Sequence, residues 1–368
     1  MAKTGFRPTT INIDLDALSF NINNIKKLIG KTKLSIAVKS NAYGHGIIEI
    51  SKHLETLGID MLLVSSADEA IKLRNNDIAL PILILSEVTK NAIAECVEHD
   101  ISFTAYTQKF IEGIKVCSTD KKPAKLHLKV NTGMNRVGCE INDVIKLASN
   151  IEQSSNLVFE GIFTHFATAD ETDTHGFEKQ NTLFDSVLEE ISQFELSPKM
   201  IHACNSAATI KFPQAHHSMV RVGLSAYGIY PNVDMRELID LKPILTLKSE
   251  ISYIKNVEAH EKISYGWHHE FLNSTRVATI PIGYGDGVSR NLGMNGGSVL
   301  IAGKRCKILG AVTMDQLMVD IGDLNVQSGD EVILIGKEIT VEEWANIADS
   351  ITWEVLCSFS ARLPRIYD

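Results

Sequence analysis

One lysine stands between a strand-like run and a glycine-rich turn, in Ala37-Val38-Lys39-Ser40-Asn41-Ala42-Tyr43-Gly44-His45-Gly46. Leu34, Ile36 and Val38 alternate with other residues in the strand period, and this pattern predicts a strand over 34–39 with Lys39 as its last inward residue. An amine at the end of a strand, facing a pocket, loses solvation, which lowers its pKa and suits it to form an imine. The sequence therefore predicts Lys39 as an imine-forming lysine.

Further polar residues stand at the ends of other strand-like runs. In 126–131, apolar residues alternate with His127, Lys129 and Asn131, so Lys129 is expected to face the same lumen as Lys39. The remaining candidates at strand ends are His165, His202, Asn205, Ser206, Arg221 and Gly223. Because barrel enzymes build their active sites at the carboxyl ends of the strands, we expect these side chains to lie close together.

The residue types favour one cofactor. The histidines show neither an H-x-H nor an H-E-x-x-H spacing, so no metal site is expected, and no G-x-S-x-G elbow is present. His216-His217 and His268-His269 are interpreted as loop pairs. An imine lysine, a phosphate-sized nest near Ser206 and Gly223, and an arginine in the pocket fit pyridoxal 5'-phosphate.

The order of elements predicts the fold. Over 1–242, eight strand-like runs alternate with helical patterns, which predicts an α/β fold with an N-terminal (β/α)8 barrel. An open doubly wound sheet would also alternate, but no G-x-G-x-x-G follows the first strand. The predicted strands are 34–39, 61–65, 81–86, 101–105, 126–131, 159–165, 200–205 and 219–223.

The sequence pattern changes near residue 243, after which short β-type runs are separated by glycine turns. These runs predict a mainly β C-terminal domain over 243–368, to which the first ten or so residues could add a strand. The predicted strands are 244–255, 275–282, 298–301, 307–312, 317–321, 331–335 and 357–366. Thr340-Val341-Glu342-Glu343 is a capping-box pattern that predicts one helix in this domain.

Composition limits the class of protein. The 368 residues carry a formal net charge of −9 with 44% hydrophobic and 22% charged residues, which argues against a nucleic-acid partner. No apolar run is long enough to span a bilayer and the first residues lack the apolar core of a signal peptide, so we expect a cytoplasmic protein without a membrane partner. The six cysteines include no C-x-x-C pair, and we expect them to be buried and reduced.

Several motifs together resemble the alanine racemase family over nearly the whole chain. They are the lysine motif 37–46, KVNTGMNR at 129–136, THFATAD at 164–170, HACNS at 202–206, RVGLSAYG at 221–228, ISYG at 263–266, GYGDG at 283–287 and VTMDQ at 312–316. The resemblance implies pyridoxal phosphate on Lys39 and a head-to-tail homodimer. In that dimer the second domain of one subunit completes the active site of the other.

The resemblance also implies roles for individual residues. An external aldimine would exchange its Cα proton with Lys39 on one face and with Tyr265 of the partner subunit on the other, which interconverts L- and D-alanine. His165, Arg221 and His202 would make the tyrosine a better base. Arg136, Met314 and Asp315 would bind the substrate carboxylate. Lys129 matches a position that is often carbamylated. The other implied cofactor or supporting positions are Tyr43, Asn205, Ser206, Gly223, Leu224 and Tyr284. The family expectation for the product is D-alanine for peptidoglycan.

Two positions depart from the family pattern. Ala361 stands where the family usually has a tyrosine that reaches the cofactor phosphate and narrows the space beside the substrate. Ala311 stands where an entrance arginine is common. These differences predict a larger pocket, a looser entrance and serine racemisation beside alanine, unless a nearby loop side chain fills the space.

Two other functions remain open at this stage. One is a pyridoxal-phosphate-dependent amino-acid decarboxylase of the same architecture, which would need another motif in place of Ser264-Tyr265-Gly266. The other is a non-catalytic protein that binds pyridoxal phosphate, which would have no use for Tyr265. Turnover of the protein with added cofactor separates them.

Overall fold

The computed structural model describes residues 6–368, and its contacts divide the chain into two compact units. The unit that we call the barrel unit comprises Ala17–Ala42 and Ile47–Lys242. The other, the β unit, takes the chain up to Asp16, the short segment Tyr43–Gly46 and Pro243–Asp368. Over residues 6–368, helices long and apolar enough for a membrane span are absent.

Eight parallel strands form the wall of the barrel unit, which confirms the predicted fold. They are β2 (Lys33–Ala37), β3 (Met61–Val64), β4 (Ile82–Ile84), β5 (Ser102–Ala105), β6 (Ala124–Lys129), β7 (Leu157–Phe163), β8 (Met200–His202) and β9 (Met219–Val222). Their spatial order is β8-β7-β6-β5-β4-β3-β2-β9. Backbone bonds from Ser218 N to Ile201 O (3.1 Å) and from Arg221 N to Cys204 O (2.9 Å) join the two ends of this sheet.

Helices follow the strands because apolar residues recur at helical spacing between them. They are α1 (Leu15–Ile29), α2 (Ile47–Thr56), α3 (Ala67–Arg74), α4 (Lys90–Glu98), α5 (Gln108–Cys117), α6 (Val144–Glu152), α7 (His175–Gln193) and α8 (Ser206–Lys211). Ser66 and Thr107 cap α3 and α5, since each hydroxyl accepts a backbone N–H three residues on. The predicted helices after Asp14 and around Phe177 are confirmed.

The strand before Lys39 is shorter than predicted. It ends at Ala37, and Ser40 to Tyr43 then take φ values between 53° and 55° in a left-handed helical turn. Lys39 is therefore the residue that enters this turn and not the last residue of the strand. No residue pattern predicts this turn, because a run of four left-handed L-residues is unfavourable for each of them.

Other predicted strand ends are also too long, at Asn131, His165, Asn205 and Gly223, because the chain leaves the sheet before these residues. Asn205 shows the physical reason, since its side-chain oxygen accepts the Ala208 N–H at 3.0 Å and caps α8. The polar candidates therefore lie in the first residues of the loops at the carboxyl end of the barrel.

The described residues of the β unit form three sheets. Its strands are β1 (Thr10–Ile13), β10 (Leu245–Glu250), β11 (Tyr253–Val257), β12 (Lys262–Ile263), β13 (His269–Glu270), β14 (Thr275–Ile280), β15 (Ser298–Ile301), β16 (Lys304–Lys307), β17 (Leu317–Asp320), β18 (Glu331–Ile335) and β19 (Arg365–Tyr367). The sheet orders are β16-β15-β18-β10-β1-β19, β11-β14-β17 and β12-β13. Strand β1 pairs antiparallel with β10 and parallel with β19.

Three predictions for this unit are wrong in detail. The run 244–255 forms two strands instead of one. The strand is interrupted between Glu250 and Tyr253, and its two parts belong to different sheets. The strand predicted over 307–312 lies earlier, at Lys304–Lys307, where it pairs with β15. The predicted final strand begins as a helix, so two helices, α9 (Val341–Ile347) and α10 (Thr352–Ser358), lie where one was predicted.

The capping box before α9 is half formed. Thr340 accepts the Glu343 N–H at 3.2 Å, as the pattern predicts, but the Glu343 carboxylate pairs with Arg305 at 2.6 Å instead of returning to the cap. The cysteines also differ in part from expectation, since Cys357 is exposed and Cys117 is half-buried, although none of the six forms a disulfide in the structure.

Candidate active site

Arg221 lies at the centre of the candidate site, buried at the end of β9. Its Nη1 donates to His202 Nδ1 at 3.0 Å, and its Nη2 lies 3.1 Å from His165 Nδ1. Nη2 also donates to the carbonyl oxygens of Thr164 (2.8 Å) and Ala203 (2.9 Å). Burial lowers the pKa of Arg221 to about 10, so the guanidinium keeps its proton at neutral pH.

The two histidines beside Arg221 are neutral. Burial, with the charge of Arg221 second, lowers the pKa of both His165 and His202 well below the ordinary histidine value. Phe163 stacks on the His202 ring, with centroids 4.7 Å apart, and lies 5.1 Å below the Arg221 guanidinium. The structure thus places Arg221, His165 and His202 in direct contact, and these are the three residues to which the resemblance assigns a shared role.

Lys129 extends from the end of β6 into the lumen, as its alternation predicts. Its residue surface is 5% exposed, and Nζ lies 5.6 Å from the Phe163 ring centroid. Burial first, and then the charges of Arg136, Arg221 and Lys39, lower the pKa of the Lys129 amine to about 7. A substantial share of this amine is therefore an uncharged nucleophile at neutral pH.

Lys39 is half-buried at the mouth of the barrel, immediately before the left-handed turn. The turn is tied to the barrel unit on both sides. Ser40 N donates to Glu69 Oε1 at 2.6 Å, and Ile47 N donates to Asn41 Oδ1 at 3.0 Å. These bonds fix the backbone from which the lysine side chain extends.

A small nest of backbone N–H groups follows β9. Ser206 Oγ accepts the N–H of Gly223 at 2.9 Å and that of Ser225 at 3.4 Å, which leaves its own hydroxyl proton free to donate. Leu224 begins the 3-10 turn Leu224–Tyr227, so its N–H has no acceptor within that turn. Ser225 Oγ is buried without a hydrogen-bond partner among the described residues. Such a donor set suits a phosphate group.

The loop after β6 carries Arg136, which is exposed. Asn131 shapes this loop, because its side-chain oxygen accepts the N–H groups of Gly133 (3.3 Å) and Asn135 (3.1 Å). Its amide nitrogen donates to Asn135 Oδ1 at 3.0 Å and to Glu140 at 3.1 Å. The loop is thus ordered locally while the guanidinium stays available to an anion.

Tyr265 projects from the β unit, with 71% of its surface exposed. With Ser264, Gly266, Trp267 and Thr313 it lines an open cavity of about 520 Å³. Ser264 has a φ of 63° and donates its hydroxyl to Ala311 O at 2.5 Å, which holds the preceding backbone in an unusual conformation. The phenol is therefore presented outward from a fixed turn.

The other candidates of the β unit lie on neighbouring turns. Gly285 N donates to Met314 O at 2.9 Å and Tyr284 N donates to Thr313 O at 2.9 Å, so the turns that carry Tyr284 and Met314 are joined. Asp315 accepts a bond from Arg362 Nη2 at 2.6 Å. The Asp315 carboxylate is thus neutralised within its own unit.

Three remaining positions are also in the β unit. Tyr43 is buried, and burial raises the pKa of its phenol above the ordinary value, with the Cys357 thiol as a second cause. Ala361 is exposed, but Ala311 is fully buried and its carbonyl is occupied by Ser264. The Ala311 side chain is thus covered within its own unit, and the looser entrance expected at that residue stays a prediction.

Sequence reasoning missed two residues in the lumen, His127 and Glu160. His127 Nδ1 lies 2.8 Å from His202 Nε2, and His127 Nε2 lies 3.0 Å from Glu160 Oε2. The alternation that placed Lys129 inward applies equally to His127, so this residue could have been found. Glu160 could not, because strict alternation along β7 turns it away from the lumen.

Comparison with known proteins identifies both parts of the chain. Residues 13–231 match the family model "Alanine racemase, N-terminal domain", and residues 244–367 match "Alanine racemase, C-terminal domain". "Alanine racemase 1" of Oceanobacillus iheyensis is 38% identical over 379 residues and covers 100% of both chains.

Solved structures agree with the family match. The alanine racemase of Clostridium difficile 630 aligns with a TM-score of 0.94 at 36% identity, covering 98% of this chain and 96% of that one. The alanine racemase from E. faecalis aligns with a TM-score of 0.93 at 37% identity, covering 100% of both chains.

Proposed function

Since the chain belongs to the alanine racemase family, we propose that it interconverts L-alanine and D-alanine with pyridoxal 5'-phosphate carried on Lys39. The observation that supports this most directly is the buried Arg221, whose hydrogen bonds to the described residues use only its two Nη atoms. Its Nε–H remains as a donor for a ligand. An arginine cannot pass that proton on, which suits a reaction that must return the proton to the same carbon.

The residues present fit the cofactor. Ser206 supplies its hydroxyl proton and Leu224 its backbone N–H for the phosphate, while the N–H groups of Gly223 and Ser225 hold the Ser206 hydroxyl in place. Ser225 Oγ, buried without a partner among the described residues, is consistent with a ligand there. We assign Asn205 to the support of this nest, because it caps α8 directly before Ser206. Tyr43 is proposed as a further cofactor-binding residue on the resemblance alone. When bound, the cofactor supplies an electron sink that acidifies the Cα–H of an amino acid.

Racemisation needs a proton donor and acceptor on each face of the reacting carbon. We assign Lys39 Nζ to one face and Oη of Tyr265 from the partner subunit to the other. Tyrosine has a pKa of ~10, so a neutral histidine and a fixed arginine near it would help it to act as a base. The neutral His165 and His202 on Arg221 fit that task.

The substrate carboxylate is assigned to Arg136, the Met314 backbone and the neighbourhood of Asp315, with Tyr284 in support. Lys129 is proposed to carry a carbamate. Its uncharged amine would attack CO₂, form one N–C bond and release one proton to solvent, leaving an anion beside Arg136. The low pKa of about 7 supports this assignment. Intact-protein mass spectra and activity with and without added bicarbonate test it, and a free lysine in both conditions would exclude it.

The first experiment is chiral chromatography of L-alanine incubated with protein loaded with pyridoxal phosphate. We expect the enantiomers to reach equal amounts, because they have equal free energy in water. Release of CO₂ would favour a decarboxylase, and binding of the cofactor without any turnover would favour a non-catalytic carrier. We further propose that the protein supplies D-alanine for peptidoglycan in the cytoplasm. Complementation of a bacterial strain that requires D-alanine, with this gene expressed from a plasmid, tests that proposal.

A further inference from the structure

A run of buried hydrogen bonds leads from Arg221 through the barrel lumen. Arg221 Nη1 donates to His202 Nδ1 at 3.0 Å, and His202 Nε2 lies 2.8 Å from His127 Nδ1. His127 Nε2 lies 3.0 Å from Glu160 Oε2, which also accepts from Ser102 Oγ at 2.5 Å. We call Arg221, His202, His127 and Glu160 the lumen relay. It joins the candidate site to a carboxylate that takes no part in the proposed reaction.

A β-bulge brings Glu160 into the lumen. Along the β6–β7 pairing, Leu126 is opposite Phe159 and the next residue, His127, is opposite Gly161, so Glu160 has no partner. Regular alternation would place Glu160 on the outer face, because Gly161 and Phe163 are opposite the lumen residues His127 and Lys129. The extra residue redirects the side chain, as bulges do near functional sites. Only 14% of the Glu160 side chain is exposed.

Gly161 leaves the space that the relay needs. A Cβ atom at this position would lie 2.4 Å from His127 Nδ1, the atom that faces His202. It would also lie 3.0 Å from Met200 O on the neighbouring strand β8. The bulge and this glycine are two separate features of β7 that both serve the same pair of rings.

The two ends of the relay determine its direction. A guanidinium can only donate hydrogen bonds, and an ionised carboxylate can only accept them. Burial raises the pKa of Glu160, but its contacts with His127, Ser102 and Lys125 outweigh burial and leave that pKa below the ordinary value. Because His202 is neutral and its Nδ1 accepts from Arg221, its proton must be on Nε2, which faces His127 Nδ1. His127 Nδ1 must then act as an acceptor, so the proton of this ring is on Nε2 and faces Glu160. Every donor in the relay then points from Arg221 towards Glu160.

We propose that Glu160 is a positioning residue that, through the tautomers of His127 and His202, holds Arg221 in place at the cofactor site. Without an acceptor at residue 160, His127 can move its proton to Nδ1 and donate towards His202. That bond would require the opposite tautomer of His202, whose Nδ1–H would face the Nη1–H of Arg221. Two opposed donors cannot bond, so the guanidinium would lose one of its four protein contacts.

Nitrogen NMR of the histidine rings in protein without cofactor tests this directly. In the unsubstituted protein we expect both His127 and His202 to be unprotonated at Nδ1, and a proton on Nδ1 of either ring would overturn the proposal. In Glu160→Met we expect a partial shift of the His127 proton to Nδ1. Glu160→Gln keeps an acceptor oxygen and should keep the original tautomers. Glu152→Met removes an exposed carboxylate at the end of α6 and is the control.

Turnover supplies the second readout, and this part alone depends on the proposed racemase function. Glu160→Met should lower kcat about tenfold with a smaller change in KM, because a bond to a charged group is disturbed while the substrate contacts remain. Glu160→Gln should recover most of that loss. Ring protonation unchanged in Glu160→Met, or Gln behaving like Met, would overturn the proposal. If the unsubstituted protein racemises nothing, the proposed function fails, but the tautomer test still stands.

Discussion

Lys129 combines deep burial with a basic side chain, and this combination has a measurable effect on stability. The pKa of its amine is about 7 in the folded chain because of burial and three neighbouring cations, against an ordinary value of 10.5. The unfolded state therefore binds more protons than the folded state between these two values, and the stability contributed at this residue rises with pH across that range.

Replacement of Lys129 by methionine should remove that dependence. We expect Lys129→Met to be more stable than the unsubstituted protein near pH 7, and the difference to shrink as the pH approaches 10. Urea denaturation at several pH values in carbonate-free buffer measures it, since a carbamate would change the charge. Lys146→Met, at an exposed position on helix α6, is the control. A difference independent of pH would contradict the prediction.

Alanine at position 361 is expected to shift the substrate preference towards serine. It is exposed, and the family's usual tyrosine would both donate to the phosphate and limit the room beside the substrate side chain. We expect the ratio of kcat/KM for serine to that for alanine to be higher in this protein than in Ala361→Tyr, and the affinity for the cofactor to be lower. Chiral chromatography with each amino acid and fluorescence titration with the cofactor measure the two effects. An equal ratio in both proteins would refute the specificity argument.

At the scale of the element, the β7 bulge should be sensitive to a single methyl group. In Gly161→Ala the new Cβ would lie 2.4 Å from His127 Nδ1 and 3.0 Å from a backbone oxygen, so neither strand can accept it without a shift. We expect a loss of about 1–3 kcal/mol in the free energy of unfolding.

The matched control for Gly161 is another glycine of the barrel unit. A Cβ on Gly113, inside helix α5, would lie 3.6 Å from Ile93 Cδ1, which is an ordinary contact. Gly113→Ala should therefore stabilise the protein by about 0.5–1 kcal/mol through helix propensity. Denaturant titration measures both free energies of unfolding. If Gly161→Ala stabilised the protein as Gly113→Ala does, the space around Gly161 would not be limiting.

Sequence reasoning succeeded for elements where periodicity reports burial. The eight barrel strands and the helices after Asp14 and around Phe177 follow directly from it. It failed where the backbone leaves its regular period. The left-handed turn after Lys39 and the bulge at Glu160 each break the alternation on which the prediction rests, and both serve the candidate site. The inward position of Lys129, in contrast, lies in regular strand and was predicted correctly.

At the scale of the whole molecule, the proposed sharing of active sites between subunits can be tested by mixing. Lys39→Ala and Tyr265→Phe would each inactivate a homodimer. In a mixed dimer, the barrel that keeps Lys39 would meet the intact Tyr265 of the partner, so one of the two sites would work. Equal amounts of the variants, unfolded and refolded together, should regain about a quarter of the original activity. No recovery, in a mixture shown to contain hetero-dimers, would place both bases in one chain.

Strand β1 has a consequence for how the chain is made. It is synthesised before the barrel unit, yet it pairs with β10 and with β19, whose last residue is Tyr367. At 5–20 residues per second, a ribosome needs roughly 20–70 s to deliver β19 after β1. During that interval the complete barrel sequence emerges while β1 lacks its neighbours. A nascent chain would therefore expose an unpaired strand edge, and the β unit could be completed only after β19 has been synthesised.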